Sequence, residues 1–121
     1  MSIDLSMDKR SHKIGPVTVI ELEGPMNLNS MRGLQESIED RVAKGQLAVV
    51  FSLRDVTLIS SSGLGALIQF SQEFKKRNGR LALAALHQSG KEVMAITRLD
   101  TLFQIYDTVE EAVESLKNQA S

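Results

Sequence analysis

Residues 47–67 read LAVVFSLRDVTLISSSGLGAL, and the reading of this stretch decides the fold. Leu47 to Phe51 is apolar without alternation, the pattern of a strand covered on both faces and therefore central in its sheet. After Asp55 a second short run, Val56 to Ile59, leads into three serines and two glycines. Leu64, Leu67, Ile68 and Phe74 then recur at helical spacing, so a helix begins within the serines. Lys75, Lys76 and Arg77 suit the negative end of its dipole, and Asn78-Gly79 can supply a left-handed stop. A buried strand running straight into an amphipathic helix is the building unit of a parallel α/β sheet.

Upstream, Met31, Leu34, Ile38 and Val42 place one apolar stripe on a helix that Asn27 or Asn29 can cap and Gly45 closes. Val17 to Leu22 reads as a strand ended by Gly24-Pro25. Ile3, Leu5 and Met7 alternate with Asp4, Ser6 and Asp8 as an edge strand would, which leaves the polar stretch Lys9 to Pro16 as a hairpin connection. Downstream, Leu81 to Leu86 is another buried strand, and Gln88 to Thr97 a short helix with Val93 and Ile96 turned inward. Leu102 to Tyr106 is a last strand. Asp107-Thr108 followed by Glu110-Glu111 resembles a capping box before Val109, Ala112, Val113 and Leu116. The order β-β-α-β-α-β-α-β-α predicts an α/β fold: a mixed, mainly parallel sheet of about five strands, opened by an antiparallel hairpin, with about four helices.

With 121 residues the chain has the length of one domain, expected to span 1–121. Fourteen Lys+Arg against fifteen Asp+Glu leave a net charge of −1, so no global field gathers nucleic acid or anionic lipid. Hydrophobic residues at 42% and charged residues at 24% lie well outside the regime of disorder. The absence of cysteine excludes disulfides, a thiol nucleophile and thiolate zinc sites. With no leader and no apolar run of spanning length, a cytoplasmic, membrane-free protein is expected. Two histidines, His12 and His87, are too few for most histidine-built metal sites and read as a solvated hairpin residue and a loop residue. No metal site or cofactor is expected.

Polarity and flexibility concentrate in Ile59 to Leu67, at a helix start beside a buried strand. Gly63 and Gly65 each cost roughly 1 kcal/mol relative to alanine in a helix interior, less near an end. The plain explanation is that one serine caps the helix while the glycines let it approach the sheet. Among functional readings, a P-loop requires GxxxxGK[ST], and no lysine follows the second glycine until Lys75. A dinucleotide fingerprint needs a further glycine near Phe70, and a nucleophile elbow needs GxSxG with a histidine base. None is present, so an enzyme reading has no chemistry behind it. A serine as substrate remains: a phosphate on Ser61 would sit near exposed amides and the positive dipole end, and would change any surface docked on the turn.

At these residues the chain resembles the STAS domains, in particular the anti-sigma-factor antagonists of bacterial partner switching. The resemblance rests on the opening hairpin, Leu22-Glu23-Gly24 with its asparagine-bearing helix entry, LAVVFSLRDVTLI, SSSGLGAL, NGRLALAAL and LDTLFQIYDTVEEAV. It implies helices lying mainly on one face of the sheet, a bacterial cytosolic role and no cofactor. It further implies a partner anti-sigma factor that is an ATP-dependent serine kinase, and a serine phosphatase that resets the switch. In this family the turn usually reads Asp-Ser-Ser-Gly-Leu-Gly and the first serine after the aspartate is phosphorylated. Registering on Gly63-Leu64-Gly65 puts that serine at Ser61, with Ser60 the second choice and Ser62 the third, and leaves Ser60 in the aspartate position. The implied partner surface comprises Asn27, Asn29, Ser60, Ser61, Ser62, Gly63, Leu64 and Gly65. Two other readings stay open: a non-phosphorylated STAS scaffold or transporter-associated subunit, and a small-molecule or nucleotide module using the helix N-terminus as an anion site.

Overall fold

The structure is a computed structural model that describes residues 7–119. Five strands form one sheet in chain order: β1 (Asp8–Ile14), β2 (Val17–Met26), β3 (Ala48–Ile59), β4 (Arg80–Ala84) and β5 (Gln104–Tyr106). β1 and β2 pair antiparallel, and every later pair is parallel. Helices α1 (Leu28–Ala43), α2 (Ser61–Lys76) and α3 (Gln88–Ile96) connect the parallel strands, and α4 (Val109–Gln119) follows β5. Because strand order equals chain order, crossovers of one hand put every connecting helix on the same side of the sheet. Accordingly Met31, Leu34 and Ile38 of α1, Leu67, Phe70 and Phe74 of α2 and Met94 of α3 share one core with Ile20, Leu22, Phe51 and Leu83. Among the described residues no strand follows α4, so that rule does not constrain it, and it packs Ala112, Val113 and Leu116 on the opposite face against Val17, Val19, Val50, Ala82 and Ala84. Coverage on both sides explains the unbroken apolar run in β3, which is central as expected.

The element order and the mixed sheet agree with the sequence reading, and several boundaries differ for physical reasons. The polar stretch from Lys9 is not a connection. It is β1 itself, an edge strand whose side chains are mostly exposed and so need no apolar alternation, and only Gly15-Pro16 remains as the turn. The proposed strand at Ile3 to Met7 lies outside the described residues except for Met7, which is buried and accepts a main-chain bond from Glu23 at 2.8 Å. Gly24-Pro25 does not end β2, because irregular register between Glu21 and Glu23 and between Gly24 and Pro25 carries the pairing with β3 on to Met26. The two runs at 47–51 and 56–59 are one continuous strand. β4 stops at Ala84, because Ala85 adopts a left-handed backbone with φ 61° and turns the chain away. β5 is confined to Gln104–Tyr106, after a single 3-10 turn at Leu99–Thr101. In α3 the inward residue is Met94, while Val93 and Ile96 are 38% and 83% exposed, opposite to the expected orientation. One polarisable methionine fills the space that two β-branched residues were expected to fill.

Candidate functional site

The last residues of β2 and β3 pair as Met26 with Ile59, so the chain leaves the sheet at two adjacent points and enters two helices side by side. At the first, Asn27 is the cap of α1: its Oδ1 accepts from the Ser30 amide at 3.0 Å, and Ser30 Oγ accepts from the Asn27 amide at 3.0 Å. The Ser30 hydroxyl also lies 2.8 Å from the Pro25 carbonyl, to which it donates. Asn27 thus serves the structure, and Asn29, one residue into α1, is exposed.

At the second exit Ser60 caps α2. Its backbone is extended, with φ −81° and ψ 165°, and its hydroxyl accepts from the Gly63 amide at 3.1 Å. The same hydroxyl donates to the Met26 carbonyl at 3.1 Å, and the Ser60 amide donates to that carbonyl at 3.0 Å. Met26 O therefore uses both lone pairs on Ser60 and ties the second helix entry to the end of β2. Since the Ser60 proton is committed, the 3.0 Å contact between the Ser60 and Ser62 hydroxyls has Ser62 as donor. Ser61 is exposed, and among the described residues its hydroxyl has no hydrogen-bond partner. It is the first residue of α2, beside amides that have no acceptor within the helix.

The two glycines have different roles. Gly63 is buried, and a Cβ there would collide with the carbonyl oxygen of Met26 and come within 2.9 Å of the carbonyl carbon and of Met26 Cγ. Only glycine allows α2 this approach to β2. Gly65 is exposed, and a Cβ there would meet nothing within 4 Å. Of the residues expected on a partner surface, the fold therefore gathers all eight at one end of the sheet but presents them unequally. Ser61, Ser62, Gly65 and Asn29 face outward, Leu64 is half-buried, and Gly63 is sealed beneath. Neither α1 nor α2 has an acidic residue in its first turn, so a dianion at the Ser61 position would meet amides and no carboxylate of its own helix.

Met26 was not visible in the sequence as part of this site, because its contribution is a carbonyl placed by strand register. Ser30 was missed too, although the Asn27-x-x-Ser30 spacing is the signal of a reciprocal cap. His12 is exposed on β1, in keeping with a solvated role, but on a strand. His87 precedes α3, and its Nε2 lies 2.6 Å from the Arg54 carbonyl. Among the described residues no group of three or more His, Asp or Glu is arranged to hold a metal ion, and no helix is long and apolar enough to cross a membrane. Exposed ion pairing shifts two groups, Lys9 and Asp107. Hydrogen bonding to Glu23, then the charges of Glu23 and Asp55, hold the Lys9 pKa above its ordinary value, and the Lys91 hydrogen bond and charge hold Asp107 below the usual carboxylate range.

Residues 8–112 match the family model described as STAS domain. The chain belongs to the STAS family. A Thermotoga maritima relative of this STAS domain, named "Putative anti-sigma factor antagonist", is 30% identical over 76 residues, which is 63% of this chain and 67% of that protein. "Putative anti-sigma factor antagonist BtrV" of Bordetella bronchiseptica is 27% identical over 113 residues, covering 93% of this chain and 94% of its own. Among solved structures, a Thermotoga maritima protein given the same description superposes with a TM-score of 0.84 at 23% identity, covering 94% of this chain and 97% of that one. The anti-sigma factor antagonist SpoIIAA of Bacillus, solved unphosphorylated and phosphorylated, superposes with a TM-score of 0.68 in both forms, at 16% and 18% identity. The two SpoIIAA superpositions cover 93% and 88% of this chain and 98% and 97% of the SpoIIAA chains. At these identities the structural likeness speaks for the fold: the five-stranded mixed sheet with four helices is that of SpoIIAA.

Proposed function

We propose that this STAS domain is an anti-sigma-factor antagonist. Its unphosphorylated form binds an anti-sigma factor that is a serine kinase and thereby frees the sigma factor. Phosphorylation of Ser61 by that kinase ends the binding, and a serine phosphatase restores it. The protein itself performs no catalysis in this cycle and works in the cytoplasm.

The observation that carries the reading is the division of labour among the three serines. Ser60 is spent on Met26 and Gly63, Ser62 donates to Ser60, and Ser61 stands exposed with an uncommitted hydroxyl at the start of α2. A phosphate on Ser61 suits the helix start, whereas a phosphate on Ser60 would replace a donated hydrogen bond with repulsion from the Met26 carbonyl. The names of the relatives support the role. The docking surface is the exposed part of the turn, Ser61, Ser62, Leu64 and Gly65, with Asn29 beside it, while Asn27, Ser60 and Gly63 shape it from beneath. Ser60 in place of the family aspartate favours a second reading, a scaffold or transporter-associated subunit that uses the same surface without phosphorylation.

The test is capture of partners from the native cell with wild-type and Ser61→Asp protein, followed by incubation with the captured kinase and magnesium-ATP and mapping of the phosphate to a residue. The expected results are phosphate on Ser61, a Ser61→Ala variant that binds but stays unmodified, and Ser61→Asp binding weakened by about 2–5 kcal/mol, since a charge is buried unpaired in the interface. Phosphate on Ser60 overturns the assignment of Ser61. A permease partner with no phosphate on any of the three serines establishes the scaffold reading.

A further inference from the structure

On the face of the sheet that α4 covers, Val19 pairs with Val50 beneath the helix, and Glu21 pairs with Ser52 one step further on. Val19, Glu21 and Ser52 border an open groove of about 540 Å³ between α4 and the β1–β2 hairpin, with His12 and Ile14 of β1 on its other side. Val19 and Val113 give it a buried apolar floor. Ser52 is only 6% exposed, and among the described residues its hydroxyl has no hydrogen-bond partner. It is not sealed in, so the groove is the space onto which it opens. A buried hydroxyl left without a partner costs free energy that a ligand can return. From Ser52 to Asp55 β3 takes three steps while β2 takes two from Glu21 to Glu23, the mark of a bulge, and bulges re-aim side chains. Arg54 lies in that bulge and lines the groove; its carbonyl is held by His87, and its guanidinium pairs with nothing among the described residues.

The carboxylates of the lining divide into two kinds. Glu21 and Asp107 are matched from outside the groove, Glu21 by Arg10 at 3.1 Å and Asp107 by Lys91 at 2.8 Å. Glu110 and Glu114, one turn apart on α4, have no cation at ion-pair distance among the described residues and repel one another. Lys117 does not answer Glu110, since it stands about 10 Å further along the helix, against the Gly15 turn. At the Ser52 end the groove therefore offers one unpaired cation, Arg54, one unpaired carboxylate, Glu110, and one uncommitted hydroxyl.

We infer that this groove binds a free α-amino acid with an apolar side chain. The carboxylate of the ligand takes the Arg54 guanidinium and the Ser52 hydroxyl, its ammonium takes Glu110, and its side chain lies on Val19 and Val113. A simple anion would be repelled by Glu110 and Glu114, and a simple cation would leave Arg54 and Ser52 unanswered. A zwitterion satisfies both ends. The site is on the face of the sheet opposite α2, so it is independent of the Ser61 switch.

The experiment titrates the isotope-labelled full chain by NMR with leucine, valine and methionine, and with two analogues of leucine: isocaproate, which lacks the ammonium, and isopentylamine, which lacks the carboxylate. At least one amino acid should shift the amides of Ser52, Arg54, Val109 and Val113 with a dissociation constant of about 1 mM or tighter. Each analogue should bind about tenfold more weakly than leucine, or worse, having lost a charge-assisted hydrogen bond. Arg54→Gln and Glu110→Gln, both at exposed positions, should weaken binding by about tenfold with unchanged melting. Ser52→Ala should weaken it too while melting no lower than wild type, because the hydroxyl it removes has no partner. No shift with any of the three amino acids, equal binding by either analogue, shifts confined to residues outside the groove, or full affinity in Arg54→Gln would overturn the inference.

Discussion

The two helix entries at the end of the sheet are built from the same materials and finish in different states. At α1, Asn27 and Ser30 satisfy one another, the Ser30 hydroxyl is spent on Pro25, and Ser30 is buried. At α2, Ser60 performs the capping alone, binding Gly63 in front and Met26 behind, and the next residue, Ser61, is left exposed. A closed cap consumes its polar atoms. An entry secured by one residue leaves the hydroxyl beside it uncommitted at the positive end of the helix dipole. In the proposed switch the serine-rich turn can offer Ser61 because Ser60 has already met the structural demand, and not because serines are numerous there.

That contrast can be broken first at Gly63. Gly63→Ala should destabilise by about 3 kcal/mol, since the added Cβ meets main-chain atoms of Met26 that cannot yield. Urea unfolding measures the loss, and a variant as stable as wild type would show that α2 does not lie so close to β2. The same crowding means that a bulky residue at 63 reports on folding and not on docking, so the test of the docking surface belongs at Gly65.

The caps come next. Ser60→Ala and Asn27→Ala should each cost about 1–2 kcal/mol by thermal or urea unfolding. Ser60→Ala should be the more costly, because it also removes the donor to Met26, and equal losses would show that this link across the strands contributes nothing. Gly65→Ala should move the other way, stabilising by about 0.5–1 kcal/mol, because the position is helical and unobstructed. Calorimetry distinguishes the opposite signs expected at Gly63 and Gly65, and a shared sign would mean that their roles are alike. Smallest of all, Ser61→Ala should leave stability within about 0.5 kcal/mol of wild type, as surface substitutions away from packing do. A larger loss in the same unfolding assay would show that Ser61 is structural.

Much of the molecule was legible in the chain because it depends on short-range patterns. The stripe Met31, Leu34, Ile38 and the unbroken LAVVF run announce a helix and a central strand through periodicity alone. Where the reading failed, the deciding contacts were distant. Lys9 to Ile14 looked like a loop because its polar side chains suit an edge strand equally well, and only pairing with β2 distinguishes the two. Pro25 looked like a strand end, yet irregular register lets the ladder continue past it. In α3 both Val93 and Met94 are apolar at workable spacing, and the fit against the sheet turned Met94 inward.

For the site, the sequence establishes that a helix starts among three serines and two glycines, that no cysteine is available to them, and that the turn resembles a phosphorylated one. It could not rank the serines by what their hydroxyls do, since any of the three can cap a helix. What the tertiary contacts add is that Ser60 holds Met26 and that Gly63 is sealed while Gly65 is open. The physical reason is range. Helix and strand propensities are summed over neighbours in the chain, whereas the carbonyl that claims the Ser60 proton belongs to a residue 34 positions away, brought there by strand register alone.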